Sequence, residues 1–207
     1  MQFDAHTIGE MDRFYRSNLI NSVTGFKSIN LLGSRDGKGI SNLAVFSQII
    51  HLGANPALIG ILFRPVIEGL NSMKNIEETG TFTLNHILPS FIDKAHWTSA
   101  KWNVSEFEAV GLTEQYLENF DAPFVKESNV KIGLSYQEKH FLPINGTTLV
   151  VGKIVLIHIP EGTLESDGFV DLQKVNSVSG VGSDGYFDGQ KITRYAYAKP
   201  GTKPKLI

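Results

Sequence analysis

Apolar residues recur along this chain with two different periods, and the change of period marks out its elements. Near the start, Ile8, Met11, Tyr15 and Leu19 follow at helical spacing. Thr7-Ile8-Gly9-Glu10 has the spacing of a capping box, with Thr7 capping an amide three residues on and Glu10 reaching back. One short N-terminal helix is expected there. Residues 25–35 and 40–47 then flank Asp36-Gly37-Lys38-Gly39, whose glycines allow the positive φ of a tight loop, so a hairpin is predicted. Residues 57–63 are apolar on both pleat faces and are bounded by Pro56 and Pro65, which suits a strand inside a covered sheet.

Residues 72–79 read as a brief helix, with Met73 and Ile76 on one face and Gly80 ending it, and residues 81–87 return to a strand. Ser90-x-x-Asp93 is a second helix start, with Phe91, Ile92 and Ala95 facing inward, and Ser105-Glu106-Phe107-Glu108 repeats the capping signature before Gly111. Val130, Ile132, Leu134 and Tyr136 alternate with polar or small residues, so that strand has one buried and one wet face. Residues 147–159 are dominated by β-branched side chains and interrupted by Gly152 and Lys153, as a long strand bending around a barrel requires. A last strand is expected over 191–197 and an extended, mobile tail over 199–204.

Together these elements predict a mainly β fold: a closed antiparallel barrel with short helical insertions, forming a single domain over residues 1–207. A doubly wound parallel sheet is excluded, because no helices of adequate length separate the strands.

Composition narrows the chemistry. The formal net charge of −2 gives no field that would draw in nucleic acid or an anionic membrane surface. The longest apolar run, over 57–63, is far short of the about 20 residues a spanning helix needs. No basic stretch leads into an apolar one at the start, so no signal peptide is expected. Zero cysteines remove disulfides, thiolate catalysis and Fe–S clusters, and fit a cytosolic protein.

Gly180-Val181-Gly182-Ser183-Asp184-Gly185 matches the dinucleotide fingerprint in letters, yet nothing after it reads as an opening helix, so it is a loop. The six histidines contain no HExxH and no i, i+4 pair, and no metal site is expected. Asn103-Val104-Ser105 and Asn145-Gly146-Thr147 are sequons by letter only, and no serine sits in a GxSxG elbow.

What remains is the stretch from 42 to 65. It holds no acid–base pair and no partnered nucleophile. It offers a strand of small and polar residues, Asn42, Leu43, Ala44, Val45, Phe46 and Ser47, then an apolar strand ending in Phe63 and Arg64. Ser99 and Lys101 lie at a helix end beside Trp97 and Trp102, where a large aromatic ligand could be walled. Ser47, Arg64, Ser99 and Lys101 form a candidate anion-binding set.

In these pieces the chain resembles the flavin reductase-like proteins of the FMN-binding split barrel, particularly the flavoredoxin branch. The resemblance is carried by 42–47 after a hairpin, by 56–64 and 75–85, by Ser99-Ala100-Lys101-Trp102, by 105–112, by Ala122-Pro123 and by Leu149-Val150-Val151-Gly152, in the family's order. It implies a closed barrel that dimerises, with FMN over the hairpin's second strand near the subunit interface. Asn42 to Val45 would then meet the isoalloxazine through backbone groups. Phe46, Ser47 and Arg64, with Phe63 beside them, would approach the ribityl phosphate, and Ser99 and Lys101 would complete the anion site. The implied activity is hydride transfer from NAD(P)H to flavin, chemistry that the cofactors carry. Two departures stand out: Val45 replaces a proline common in the branch, and Thr147 stands where many flavin reductases have a histidine. The second keeps two alternatives open, an FMN-bound electron carrier served by a redox partner protein and a noncatalytic flavin- or haem-binding module.

Overall fold

The structure, a computed structural model, describes residues 1–65 and 71–207. The chain opens with two helices, α1 (Ala5–Glu10) and α2 (Arg13–Val23). The expected single helix is therefore two, and the expected cap is displaced. The Asp4 carboxylate, not Thr7, caps α1 and accepts from the Thr7 amide at 2.8 Å, while Asp12 caps α2 through the amides of Phe14 and Tyr15. The helix starts at Ala5, ahead of Thr7, and the Asp4 carboxylate is a strong acceptor for an orphan amide near its positive end. Neither helix contains a buried residue.

There follow β1 (Lys27–Ser28), β2 (Asn30–Arg35), β3 (Ser41–Phe46), β4 (Ile49–Ala54) and β5 (Ala57–Phe63), then α3 (Asn71–Thr79) and β6 (Thr81–His86). A 3-10 turn at Pro89–Phe91 leads into α4 (Ile92–Trp97), and α5 (Glu106–Val110) ends on Gly111 at φ 67°, the left-handed stop expected of it. Both helix starts differ from expectation, since neither Ser90 nor Ser105 supplies a side-chain cap. The second half holds β7 (Glu114–Gln115), β8 (Phe124–Val125), β9 (Lys131–Leu142), β10 (Thr147–His158), β11 (Val178–Val181) and β12 (Gly185–Asp188).

The fold is mainly β with short helices. Seven strands form one antiparallel sheet in the order β3-β2-β6-β9-β10-β5-β4, and β1-β11-β12 form a second, smaller one. Among the described residues, the ladder of the large sheet does not close. Its two edges, β3 and β4, are successive pieces of chain separated only by Ser47 and Gln48, with the Leu62 amide donating to the Gln48 carbonyl at 3.0 Å. Accordingly the apolar strand β5 is not the hydrogen-bonded neighbour of β3; it lies between β4 and β10. Strand β4, whose exposed run hides its period, was not legible in advance.

The predicted bend of β10 is a shift of register against β9 at Val151/Gly152, with a second at Ile154/Leu156. The glycine fingerprint over 180–185 is the β11–β12 hairpin turn, with no helix after it. No strand forms over 191–197, in contrast to expectation. This segment is held instead by side chains: Arg194 bonds Glu165 and Asp167 and sits 4.0 Å over the Phe169 ring, and Lys191 bonds Asp171 at 2.6 Å. The tail then turns back, with the Ala196 amide on the Lys205 carbonyl. Among the described residues, no helix is long and apolar enough to cross a membrane.

Alternation along β2 and β3 assigns their side chains to two cores. Leu31, Leu43 and Val45 pack with Phe91, Ala95, Phe107 and Val110 under α4 and α5. Leu32 and Phe46 pack on the opposite face with Ile61, Phe63, Ile76 and Phe82. Where the first core meets the small sheet, His86 places its Nδ1 2.7 Å from the Ser177 hydroxyl, and burial pulls its pKa from 6.5 down to about 4. The depressed value means that the unfolded chain takes up a proton below pH 6.5 while the folded one does not until about pH 4. Stability is fully present above pH 6.5 and falls by up to about 3 kcal/mol as the pH drops towards 4. Urea midpoints across that range should show this slope, and His86→Asn should flatten it.

Candidate functional site

Strand β3 is an edge strand whose two sides differ. Its pairing with β2 places Asn42, Ala44 and Phe46 opposite Ser34, Leu32 and Asn30. Antiparallel pairs alternate between bonded and non-bonded, and the Leu43 amide donates away from β2 to the Glu106 carboxylate at 3.1 Å. Hence the amides and carbonyls of Ser41, Leu43 and Val45 point to the free side. Among the described residues, no side chain bonds the Val45 amide.

The expected shelf thus divides. At its start the Asn42 side chain is buried and bonded to Ser72 at 2.9 Å, and Leu43 is fully buried in the core, so only backbone groups remain available there. Ala44, Val45, Phe46 and Ser47 are half-buried. Phe63 is buried against Phe46, ring centroids 4.8 Å apart, and faces the core rather than a ligand.

Ile49 faces Ile61 and the Gln48 carbonyl accepts from the Leu62 amide, so the chain leaving β3 through Ser47 runs towards the end of β5 that Arg64 follows. On the other side of β5, Phe63 faces Thr148, so Thr147 lies across from Arg64. Arg64 is exposed, whereas Thr147 is buried with its hydroxyl closed on the Asn145 side-chain oxygen at 2.7 Å. Thr147 adjoins the site, a position that sequence reasoning treated only as a departure. Its ladder position, on β10, seven strands after β3 in the sequence, could not be read from spacing.

Helix α4 packs against β3, with Phe91 and Ala95 in the core that Val45 joins. Ser99 and Lys101 follow it and are exposed. The Ser99 hydroxyl donates to the His96 carbonyl at 2.7 Å, and Trp97 and Trp102 meet edge to face at 4.9 Å. The structure sets α4 on β3, but among the described residues it does not enclose the ten candidates in one cavity. An open groove of about 680 Å³ lies instead between α4 and the β11–β12 hairpin, lined by Ile92, Asp93, His96, Trp97, Asp184 and Tyr186. No cluster of histidine and acidic side chains suited to a metal occurs among the described residues.

Comparison with known proteins follows this geometry. The family described as the flavin reductase like domain matches residues 27–174. The chain is 44% identical to a proposed flavin reductase with a split barrel domain from Shewanella frigidimarina, over 96% of this chain and all of that one, with a TM-score of 0.93. It also resembles nitrilotriacetate monooxygenase component B from Bacillus cereus, at 21% identity, 94% and 98% coverage and a TM-score of 0.81. The flavoredoxin of Desulfovibrio vulgaris shares 22% identity, with 86% and 92% coverage and a TM-score of 0.69.

Proposed function

This chain belongs to the flavin reductase like family, and from that premise we propose that it is an FMN-binding oxidoreductase that transfers hydride from NAD(P)H to the flavin. The observation that carries the reading is the free side of β3, where outward backbone groups from Val45 onward are open and the strand runs directly to Ser47, with Arg64 following β5. A flat ring can approach a backbone only where side chains are short, which Ala44 provides, and a phosphate needs fixed cations and hydroxyls, which Arg64 and Ser47 provide.

Bound FMN would supply the redox chemistry, accepting hydride from the nicotinamide to give the anionic reduced flavin. The residues of the chain bind and orient. The Val45 amide and the outward carbonyls of Leu43 and Val45 meet the ring's polar edge, Phe46 closes the inner side, and Ser47, Arg64, Ser99 and Lys101 take the phosphate. No side chain moves a proton in this scheme, consistent with the lack of an acid–base pair.

We read the chain as one domain and the sheet as a split barrel completed by the β3–β4 connection, and we place the cysteine-free protein in the cytoplasm. We also propose a homodimer. Ile50 and Leu52 on β4, Val155 and Ile157 on β10, and Phe14, Ile20 and Val23 on α2 are exposed apolar side chains that a second copy would cover. A cofactor site shared between copies is open on one copy, which accounts for the candidates not lining a closed cavity. Sedimentation should give twice the chain mass, and a monomer at micromolar concentration would reject this part.

A second reading, an FMN-bound electron carrier fed by a partner protein, is favoured by one observation: Thr147 is closed on Asn145 and offers nothing to a nicotinamide. Anaerobic mixing separates the two. Bleaching of the visible flavin band by NADH or NADPH on the timescale of mixing supports the reductase, whereas bleaching only by dithionite supports the carrier.

A further inference from the structure

We propose that Glu106 is a positioning residue that bounds the flavin's place along β3 and holds the bound flavin's reduction potential down. The inference rests on the FMN reading above and adds a residue which that reading does not use.

The N-terminal half of the free side of β3 is not open. Three side chains from α5 and β7 converge on it. The Ser41 hydroxyl donates to Glu114 and so receives the proton of Ser105, whose oxygen is 2.9 Å away. Glu106 takes the Leu43 amide at 3.1 Å, and the second Glu114 oxygen accepts from the Tyr116 hydroxyl at 3.2 Å. A serine at the first position of a helix ordinarily caps that helix. Here Ser105 makes no cap; its hydroxyl and the Glu106 carboxylate are committed to the neighbouring strand instead. The result is a strand edge that is filled up to Leu43 and open from Val45 onward.

A planar ligand on the open part therefore meets a fixed carboxylate at one end. A hydride adds negative charge to the ring, so a carboxylate at its border opposes the reduced form more than the oxidised form. The Leu43 amide keeps the carboxylate in place, and a side chain held by a charge-assisted bond does not swing away to relieve the repulsion.

The test uses Glu106→Gln, which keeps an acceptor for the Leu43 amide and removes the charge, with Glu106→Ala as a second variant and Ser105→Ala as a control that cuts a neighbouring edge contact without changing charge. The readouts are the melting temperature of the apoprotein, the Kd for oxidised FMN and the midpoint potential of the bound flavin. For Glu106→Gln we expect an unchanged melting temperature, little change in oxidised FMN affinity, and reduced FMN bound roughly tenfold tighter, a rise of about 30 mV for a two-electron couple. Glu106→Ala should raise the potential in the same direction and lower the melting temperature, while Ser105→Ala should leave the potential unchanged. If FMN binds and Glu106→Gln leaves the potential at the wild-type value, or Ser105→Ala shifts it equally, the assignment is overturned and the FMN reading stands. If the wild type binds no FMN, the FMN reading falls and the assignment with it.

Discussion

Replacing Phe82 by alanine is expected to cost about 3–5 kcal/mol of folding stability, the usual range for removing a fully buried aromatic ring from a packed core. Phe82 has no exposed surface and packs with Leu32, Leu84, Leu134 and Val150 where β6, β9 and β10 come together. Its ring also explains Gly152. A Cβ at that position would lie 2.6 Å from the Phe82 Cζ and 3.2 Å from Leu134, so the glycine of β10 is there for space and not for an unusual φ. Gly152→Ala should accordingly destabilise the wild type by about 1–3 kcal/mol through overpacking, and by clearly less when Phe82 is leucine. Urea denaturation of the four proteins in that cycle measures the coupling, and additive effects would show that the ring and the glycine do not share one space.

The second large effect falls on ligand binding. Arg64→Ala and Lys101→Ala should each weaken FMN binding by about 1.5–3 kcal/mol, roughly 10- to 150-fold in Kd, if each cation holds the phosphate. Riboflavin, which lacks the phosphate, provides the control: its affinity should not change in either variant. A loss of riboflavin binding as large as that of FMN would place these residues at the ring or in the fold. Arg64 directly follows β5 and Lys101 lies beyond α4, both with exposed side chains that lose freedom on binding.

Much of the strand content was legible because it rests on local pattern. The β2–β3 hairpin announced itself through two glycines in its turn, β5 through its prolines and unbroken apolar run, and β10 through its β-branched length. What could not be read depends on partners distant in sequence. Thr7 has the letters of a cap, but α1 begins earlier, with Asp4 as its cap and the Thr7 amide in its first turn. Ser105 and Glu108 have the letters of a capping box, but β3, more than sixty residues earlier, draws away the Ser105 hydroxyl together with the Glu106 carboxylate. Residues 191–197 look like a strand, yet Arg194 finds two carboxylates and an aromatic ring more than twenty residues upstream, and side-chain bonding takes the place of a ladder.

The candidate site shows the same division. Its residue types were readable, because a cofactor that does its own chemistry needs a backbone shelf and an anion hold but no acid–base pair. Its arrangement was not. That the chain leaving β3 through Ser47 enters a strand paired with β5 follows from the β4–β5 ladder, and that Leu43 and Phe63 turn into opposite cores follows from which pleat face each occupies. Neither fact is contained in the spacing of the letters.

Titration of the purified apoprotein with FMN, followed by thermal unfolding, tests the central claim most directly. At a free concentration of about 100 times Kd, ligand linkage adds about 2.7 kcal/mol, which for a chain of this size corresponds to roughly 5–10 °C in Tm. The account predicts saturable binding of one FMN per chain with a rise of that order. A Tm unmoved by FMN, together with flavin fluorescence unaltered by the protein, would contradict it.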